Sequence, residues 1–186
     1  MECRIDFDDF SIIIPLANEI VITTGYDESY LNDTELIMIG KDGNLKTTLT
    51  TCKLPDYPMT LINAKGTFLS ESNATMICGG GKYQKKTATN KCYRFTTDST
   101  SWNEVSSLRI ARYYHAIASV GTKIVTCGGW TAFYEVLSSC EMLASVNGQW
   151  KKVKSLPVEL AGHCMVTIDA STIVVIGGRD RSGVRI

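Results

Sequence analysis

No two of the seven cysteines stand in a C-x-x-C spacing, and only His115 and His163 accompany them. A dedicated zinc or redox centre needs tighter clusters of such residues, so neither a metal nor another cofactor is expected. Charge of one sign is also missing, since lysine plus arginine and aspartate plus glutamate number 19 each. That excludes bulk electrostatic capture of nucleic acid, which needs a basic surface. No apolar run approaches the roughly 18 residues of a membrane span. The first residues include Glu2, Asp6, Asp8 and Asp9, the opposite of a basic signal-peptide start. No segment keeps a 3.6-residue apolar period over a helix-length stretch, so helix content should be low.

Much else is present. Hydrophobic residues make up 44% of the 186, enough to bury a core. Seven cysteines favour an oxidising compartment over the cytoplasm, and the odd number leaves at least one thiol unpaired within the chain. Above all, the sequence repeats. The doublets Gly79-Gly80, Gly128-Gly129 and Gly177-Gly178 follow one another at a step of 49 residues. Trp102 and Trp150, His115 and His163, Cys92 and Cys140, and Leu108 and Leu156 each keep a step of 48.

Each doublet closes a short apolar run: Thr75–Cys78, Lys123–Cys127 and Thr172–Ile176. Such β-branched, glycine-bounded runs read as buried strands. A second run precedes each one, at Thr60–Ala64, His115–Ser119 and Cys164–Ile168. Third runs start at Cys92 and Cys140, and fourths at Trp102 and Trp150. Four short strands per period form the plan of a β-propeller blade. Glycine at a crowded strand end tolerates positive φ and close backbone approach. Tryptophan supplies apolar area against a neighbouring blade, at a cost of roughly 3–5 kcal/mol if truncated.

A doublet after the second strand, a large apolar residue on the third (Phe95, Leu143) and a tryptophan seven residues later resemble the kelch repeat. Arg112 and His115 match that family's arginine–histidine feature, although Leu160 replaces the arginine in the next copy. The resemblance implies an all-β fold, a partial kelch β-propeller of about three and a half four-stranded antiparallel blades. The blades are expected at about 10–50, 59–106 and 114–154, with a half blade at about 162–178. Blade 1 is degenerate: Thr24-Gly25 replaces the doublet, Leu45 replaces tryptophan, and extra residues fall around Thr48 to Asp56. Repeat arrays that stop without a cap expose apolar faces, so the remainder of the propeller is expected in a longer chain, or closure in a second copy.

Cys78 and Cys127 precede doublets, and Cys92 and Cys140 open the next strands. Opposed residues on adjacent antiparallel strands approach within disulfide range. Cys78–Cys92 and Cys127–Cys140 are the expected pairs; the alternative is four reduced core thiols. Asn32-Asp33-Thr34 and Asn73-Ala74-Thr75 fit the N-glycosylation sequon. Cysteine beside the doublet looks like the secreted or ectodomain kelch proteins of invertebrates.

Gly79-Gly80-Gly81-Lys82 lacks the spacing of a phosphate loop, and Tyr83 follows the lysine. His115 and His163 occupy equivalent positions, which points to a structural role, and no catalytic residue is assigned. Loops at equivalent positions share one propeller face. On that face fall Tyr83, Lys85, Arg109, Arg112, Tyr113, Trp130, Phe133, Tyr134 and Arg179, with Tyr114 beside them; the alternative for Arg112 and Tyr114 is packing inside the funnel. Aromatic and arginine residues are the types that interface hot spots use. The expected function is therefore a non-catalytic protein- or peptide-binding module, as the resemblance to adaptor-type kelch propellers also implies. The alternatives are the propeller of an extracellular galactose-oxidase-like enzyme, whose copper centre needs several histidine and tyrosine ligands, and the substrate adaptor of a ubiquitin ligase.

Overall fold

The computed structural model describes residues 55–81, 87–96 and 98–186 with their side chains, and Lys82 and four strands within residues 12–46 as backbone. Tyr83 and Lys85 lie outside the described residues, as does most of the segment from Thr48 to Asp56. Blade 1 comprises β1 (Ile12–Leu16), β2 (Glu19–Asp27), β3 (Ser29–Ile39) and β4 (Leu45–Lys46), paired in that order. In blade 2, β5 (Lys65–Leu69) pairs with β6 (Ala74–Cys78), and a small hairpin of β7 (Gly81–Lys82) and β8 (Thr87–Ala88) follows. The chain then returns as β9 (Cys92–Thr96), beside β6, and β10 (Asn103–Val105). Blade 3 is β11 (Ala116–Val120), β12 (Lys123–Cys127), β13 (Cys140–Leu143) and β14 (Lys151–Val153). Blade 4 has two strands, β15 (Cys164–Thr167) and β16 (Ile173–Ile176). All these pairings are antiparallel, and β1, β5, β11 and β15 stand side by side as the innermost strands.

The run Thr60–Ala64, expected as the first strand of blade 2, is not that strand. The strand is Lys65–Leu69, and Thr60–Ala64 leads into it. The run is apolar because it is buried, not because it is laddered. Ile62 bridges to Gly81, and Asn63 then turns through a left-handed backbone at φ 54°.

Alternation along β6 explains the core. Ala74, Met76 and Cys78 face blade 3 and pack with Leu108, Ile117, Ile124 and Trp150. Ile77 faces the other way, toward Tyr57, Leu61, Phe95 and Trp102. A strand buried on both faces reads as a continuous apolar run, as β6 does. Trp102 and Trp150 also anchor their blades to the preceding connection. The Nε1 of Trp102 donates to the Pro55 carbonyl at 3.1 Å, and that of Trp150 to the Ser106 carbonyl at 2.9 Å. Tyr57 and Phe95 each lie 5.1 Å from the Trp102 ring, the tyrosine edge-on. The cystines Cys78–Cys92 and Cys127–Cys140 join directly opposed residues, with Cα separations of 4.1 and 4.2 Å. Hydroxyl groups link the inner strands: the Ser119 amide donates to Thr67, and the Thr167 hydroxyl to the Ser119 carbonyl.

Candidate functional site

The doublets form the junctions between blades. Both glycines of each pair have positive φ, for example 66° at Gly79 and 99° at Gly80. A Cβ on Gly79 would sit 2.5 Å from the Arg112 carbonyl oxygen and 2.7 Å from the His115 ring, both entering blade 3. One on Gly129 would meet the His115 Cβ at 2.8 Å. His115 is thus clasped between the first glycine of blade 2 and the second glycine of its own blade. His163 repeats this with Gly128 and Gly178. The Gly80 amide donates to the Arg112 carbonyl and the Gly129 amide to the Leu160 carbonyl, each at 2.8 Å. At Gly177 the backbone is the same (φ 62°), but nothing lies within 4 Å of the Cβ position.

Both imidazoles are buried, and their ring nitrogens have no hydrogen-bond partner. Burial, with help from the Lys65 ammonium, lowers the His163 pKa to about 4. Burial first, then Arg112 and Lys65, hold His115 well below the ordinary histidine range. Neutral rings wedged against glycine backbone are spacers between blades.

Arg112, expected on the partner face, is wholly buried. Its Nη1 donates to the Gly128 and Ser139 carbonyls at 2.7 and 3.0 Å, and its Nη2 to Glu141 at 2.8 Å. Glu141 is buried too, and accepts from the Arg109 and Ile110 amides at 2.7 and 3.1 Å. The ion pair fixes the blade 2–3 connection against β13, so Arg112 presents no polar group to a partner. The Arg109 side chain is exposed but lies apart from the cavity described next.

After each doublet the chain makes a hairpin on one face of the propeller. Trp130 bridges to Val136, and Arg179 to Arg185, in step with the pairing of Gly81 and Ala88. Thr131 caps one hairpin turn by accepting from the Phe133 and Glu135 amides, and Asp180 caps the next by accepting from Ser182 and Val184. Between these hairpins and the connection entering each inner strand lies a cavity of about 660 Å³. Tyr113, Tyr114, Trp130, Tyr134 and Arg179 line it, with Asp180 and Arg185. Four of the nine expected face residues therefore meet there: Tyr113, Trp130, Tyr134 and Arg179. Phe133 stands at the hairpin tip, 85% exposed.

Two lining residues carry backbone strain. Tyr114 has φ 53°, and its counterparts in blades 2 and 4 are Asn63 and Gly162. Tyr134 has φ 59°, and its counterpart is Gly183. Left-handed backbone costs an L-residue about 1–2 kcal/mol. Tyrosine is thus held where the repeat elsewhere uses glycine or asparagine. Tyr114 lines the cavity beside Tyr113; Asp180 and Arg185 were not among the expected residues, and their positions in the repeat were the available signal. Among the described residues no cluster of histidine, cysteine, aspartate or glutamate could hold a metal, and no helix is long and apolar enough to cross a membrane.

Four-stranded antiparallel sheets, set side by side on their innermost strands and clasped at glycine doublets, define blades of a β-propeller. The solved structure of YjhT superposes with a TM-score of 0.76 at 13% identity, over 95% of this chain and 60% of that one. The family described as Kelch motif matches residues 111–157. Alpha-scruin of Limulus polyphemus is 26% identical over 174 residues, 93% of this chain and 18% of the relative. Kelch-like protein 34 of Homo sapiens is 30% identical over 98 residues, covering 53% and 15%. Acyl-CoA-binding domain-containing protein 4 of Arabidopsis thaliana is 22% identical over 142 residues, covering 73% and 21%. Residues 111–157 thus carry a kelch motif, and the chain, similar to these kelch-repeat proteins, spans only about a fifth of the length of the curated relatives it matches.

Proposed function

We propose that this chain is a non-catalytic module that binds a protein or peptide in the aromatic cavity on its hairpin face. The observation that carries this is the pair of strained tyrosines. Tyr114 and Tyr134 both keep left-handed backbone, and both line the cavity. Strain that packing alone would have removed persists where side chains have work to do. Tyrosine and tryptophan offer large contact area with few rotatable bonds, and Arg179 adds a planar donor. A volume of about 660 Å³ suits a few side chains of an extended segment. The two cystines support an oxidising setting for that encounter.

A displayed peptide library panned on the intact chain tests the proposal. Selected peptides should lose at least tenfold in affinity to W130A and Y134A chains, about 1.4 kcal/mol or more. They should bind an E71A chain unchanged, because Glu71 lies in the turn at the opposite end of blade 2. Equal binding to all three variants would remove the cavity from the function.

A further inference from the structure

A residue in the core of blade 2 is chemically out of place. Thr75 is fully buried in β6, and its hydroxyl has no hydrogen-bond partner. The repeat puts Ile124 of β12 and Ile173 of β16 at the same position, and Ile20 falls there in β2. Isoleucine fills that space with no polar atom to satisfy. Thr126, by contrast, is a buried threonine whose hydroxyl donates to the Ala116 carbonyl at 2.9 Å. An unsatisfied buried hydroxyl is a net cost to the fold. Folding therefore gives no reason for threonine at position 75.

Two residues earlier is Asn73, which does have a use for it. Asn73 is exposed at the end of the 3-10 turn between β5 and β6, with φ 42°. Its backbone amide donates to the Ser70 carbonyl. Asparagine tolerates this left-handed turn, and the amide projects into solvent. Asn73-Ala74-Thr75 is thus a sequon whose acceptor is accessible and whose hydroxyl does nothing for the folded blade. The two cystines are a separate sign of the oxidising compartment where such sequons are used.

We propose that Asn73 is an N-glycan attachment site, and that Thr75 stands in the core because the glycosyl transfer reads its hydroxyl before the blade folds. The co-reactant is an oligosaccharide carried on a lipid diphosphate. The Asn73 side-chain nitrogen forms a bond to the anomeric carbon of the first sugar, the carbon–oxygen bond to the diphosphate breaks, and the nitrogen gives up one proton. The turn bearing Asn73 lies at the end of blade 2 away from the doublet, so the glycan leaves the hairpin face and its cavity open.

The test delivers the full chain to the lumen of the endoplasmic reticulum and scores only molecules in which both cystines resist thiol alkylation. Peptide mass spectrometry after glycosidase release should find Asn73 converted to aspartate in the wild-type chain. A Thr75→Ser chain should keep the glycan, and a Thr75→Ile chain should lose it. The Thr75→Ile chain should also unfold at a higher urea concentration than enzymatically deglycosylated wild type. An unmodified Asn73 in molecules with both cystines formed would overturn the proposal. A Thr75→Ile chain less stable than the deglycosylated wild type would also overturn it, since threonine would then be earning its place by packing.

Discussion

Gly79→Ala and Gly177→Ala are the same substitution on the same backbone in different surroundings. The φ angles are 66° and 62°. Each variant forces an L-residue into the left-handed region, at about 1–2 kcal/mol. Each also regains roughly 0.4–1 kcal/mol by restricting the unfolded chain. Gly177→Ala should therefore cost about 1 kcal/mol, because nothing lies within 4 Å of the new methyl group. Gly79→Ala pushes a methyl to 2.5 Å from the Arg112 carbonyl and 2.7 Å from the His115 ring. Neither neighbour can retreat: one is backbone, and the other is a buried ring clasped by Gly129 on its far side. Overpacking of this kind adds about 1–3 kcal/mol. Prying the blades apart also strains the bond from the Gly80 amide to the Arg112 carbonyl, worth about 1 kcal/mol more. The expected total is about 3–5 kcal/mol. Equilibrium urea denaturation followed by far-ultraviolet circular dichroism reads every blade. Equal losses from the two variants would refute the claim that the first glycine of the doublet exists to seat the next blade's histidine.

Three further outcomes are expected. His163 has its pKa lowered to about 4 in the fold, against 6.5 in an unfolded chain. The unfolded state therefore binds the extra proton first, and stability falls as pH drops from about 6.5 to about 4, by roughly 3 kcal/mol from this group. Urea titrations across that window should show the slope, and His163→Gln should reduce it, leaving the share that comes from His115. Glu141→Ala leaves the buried Arg112 charge without its partner and should cost about 3–5 kcal/mol in the same assay, whereas Glu104→Ala, in an exposed pair with Lys91, should cost under about 1 kcal/mol. Tyr134→Gly relieves left-handed strain at an exposed site, so it should leave thermal stability unchanged or raised while abolishing capture of panned peptides.

The blade plan was legible because each repeat must place the same residue types at the same junctions. Glycine at 79, 128 and 177 and cysteine at 78 and 127 answer to backbone geometry that recurs every blade, so a linear period exposes them. Arg112 was ambiguous for a related reason. Arginine between two tyrosine-rich loops reads as rim, yet the next copy has Leu160 at that position, and Leu160 is buried as well. An apolar counterpart in a neighbouring repeat is the better guide to burial than the charge of the residue itself. The first strand of blade 2 was misplaced because Lys65-Gly66 looks less strand-like than the run Leu61–Ala64 before it. Only the tertiary bridge from Ile62 to Gly81 distinguishes a buried lead-in from a ladder. The cavity was half legible. Its residues come from equivalent loops, but its closure depends on the left-handed turns at Tyr114 and Tyr134, and backbone sign is not written in a tyrosine.

Binding on the hairpin face is tested most directly by a hydrogen-exchange footprint of the chain with a saturating panned peptide. Amides at Tyr113 and Tyr114, from Trp130 to Val136 and from Arg179 to Ile186 should slow their exchange together, because these segments enclose the cavity. Protection confined to the opposite face, at Ser70–Ser72 and Gly121–Thr122, would contradict the assignment of the partner site to the aromatic cavity.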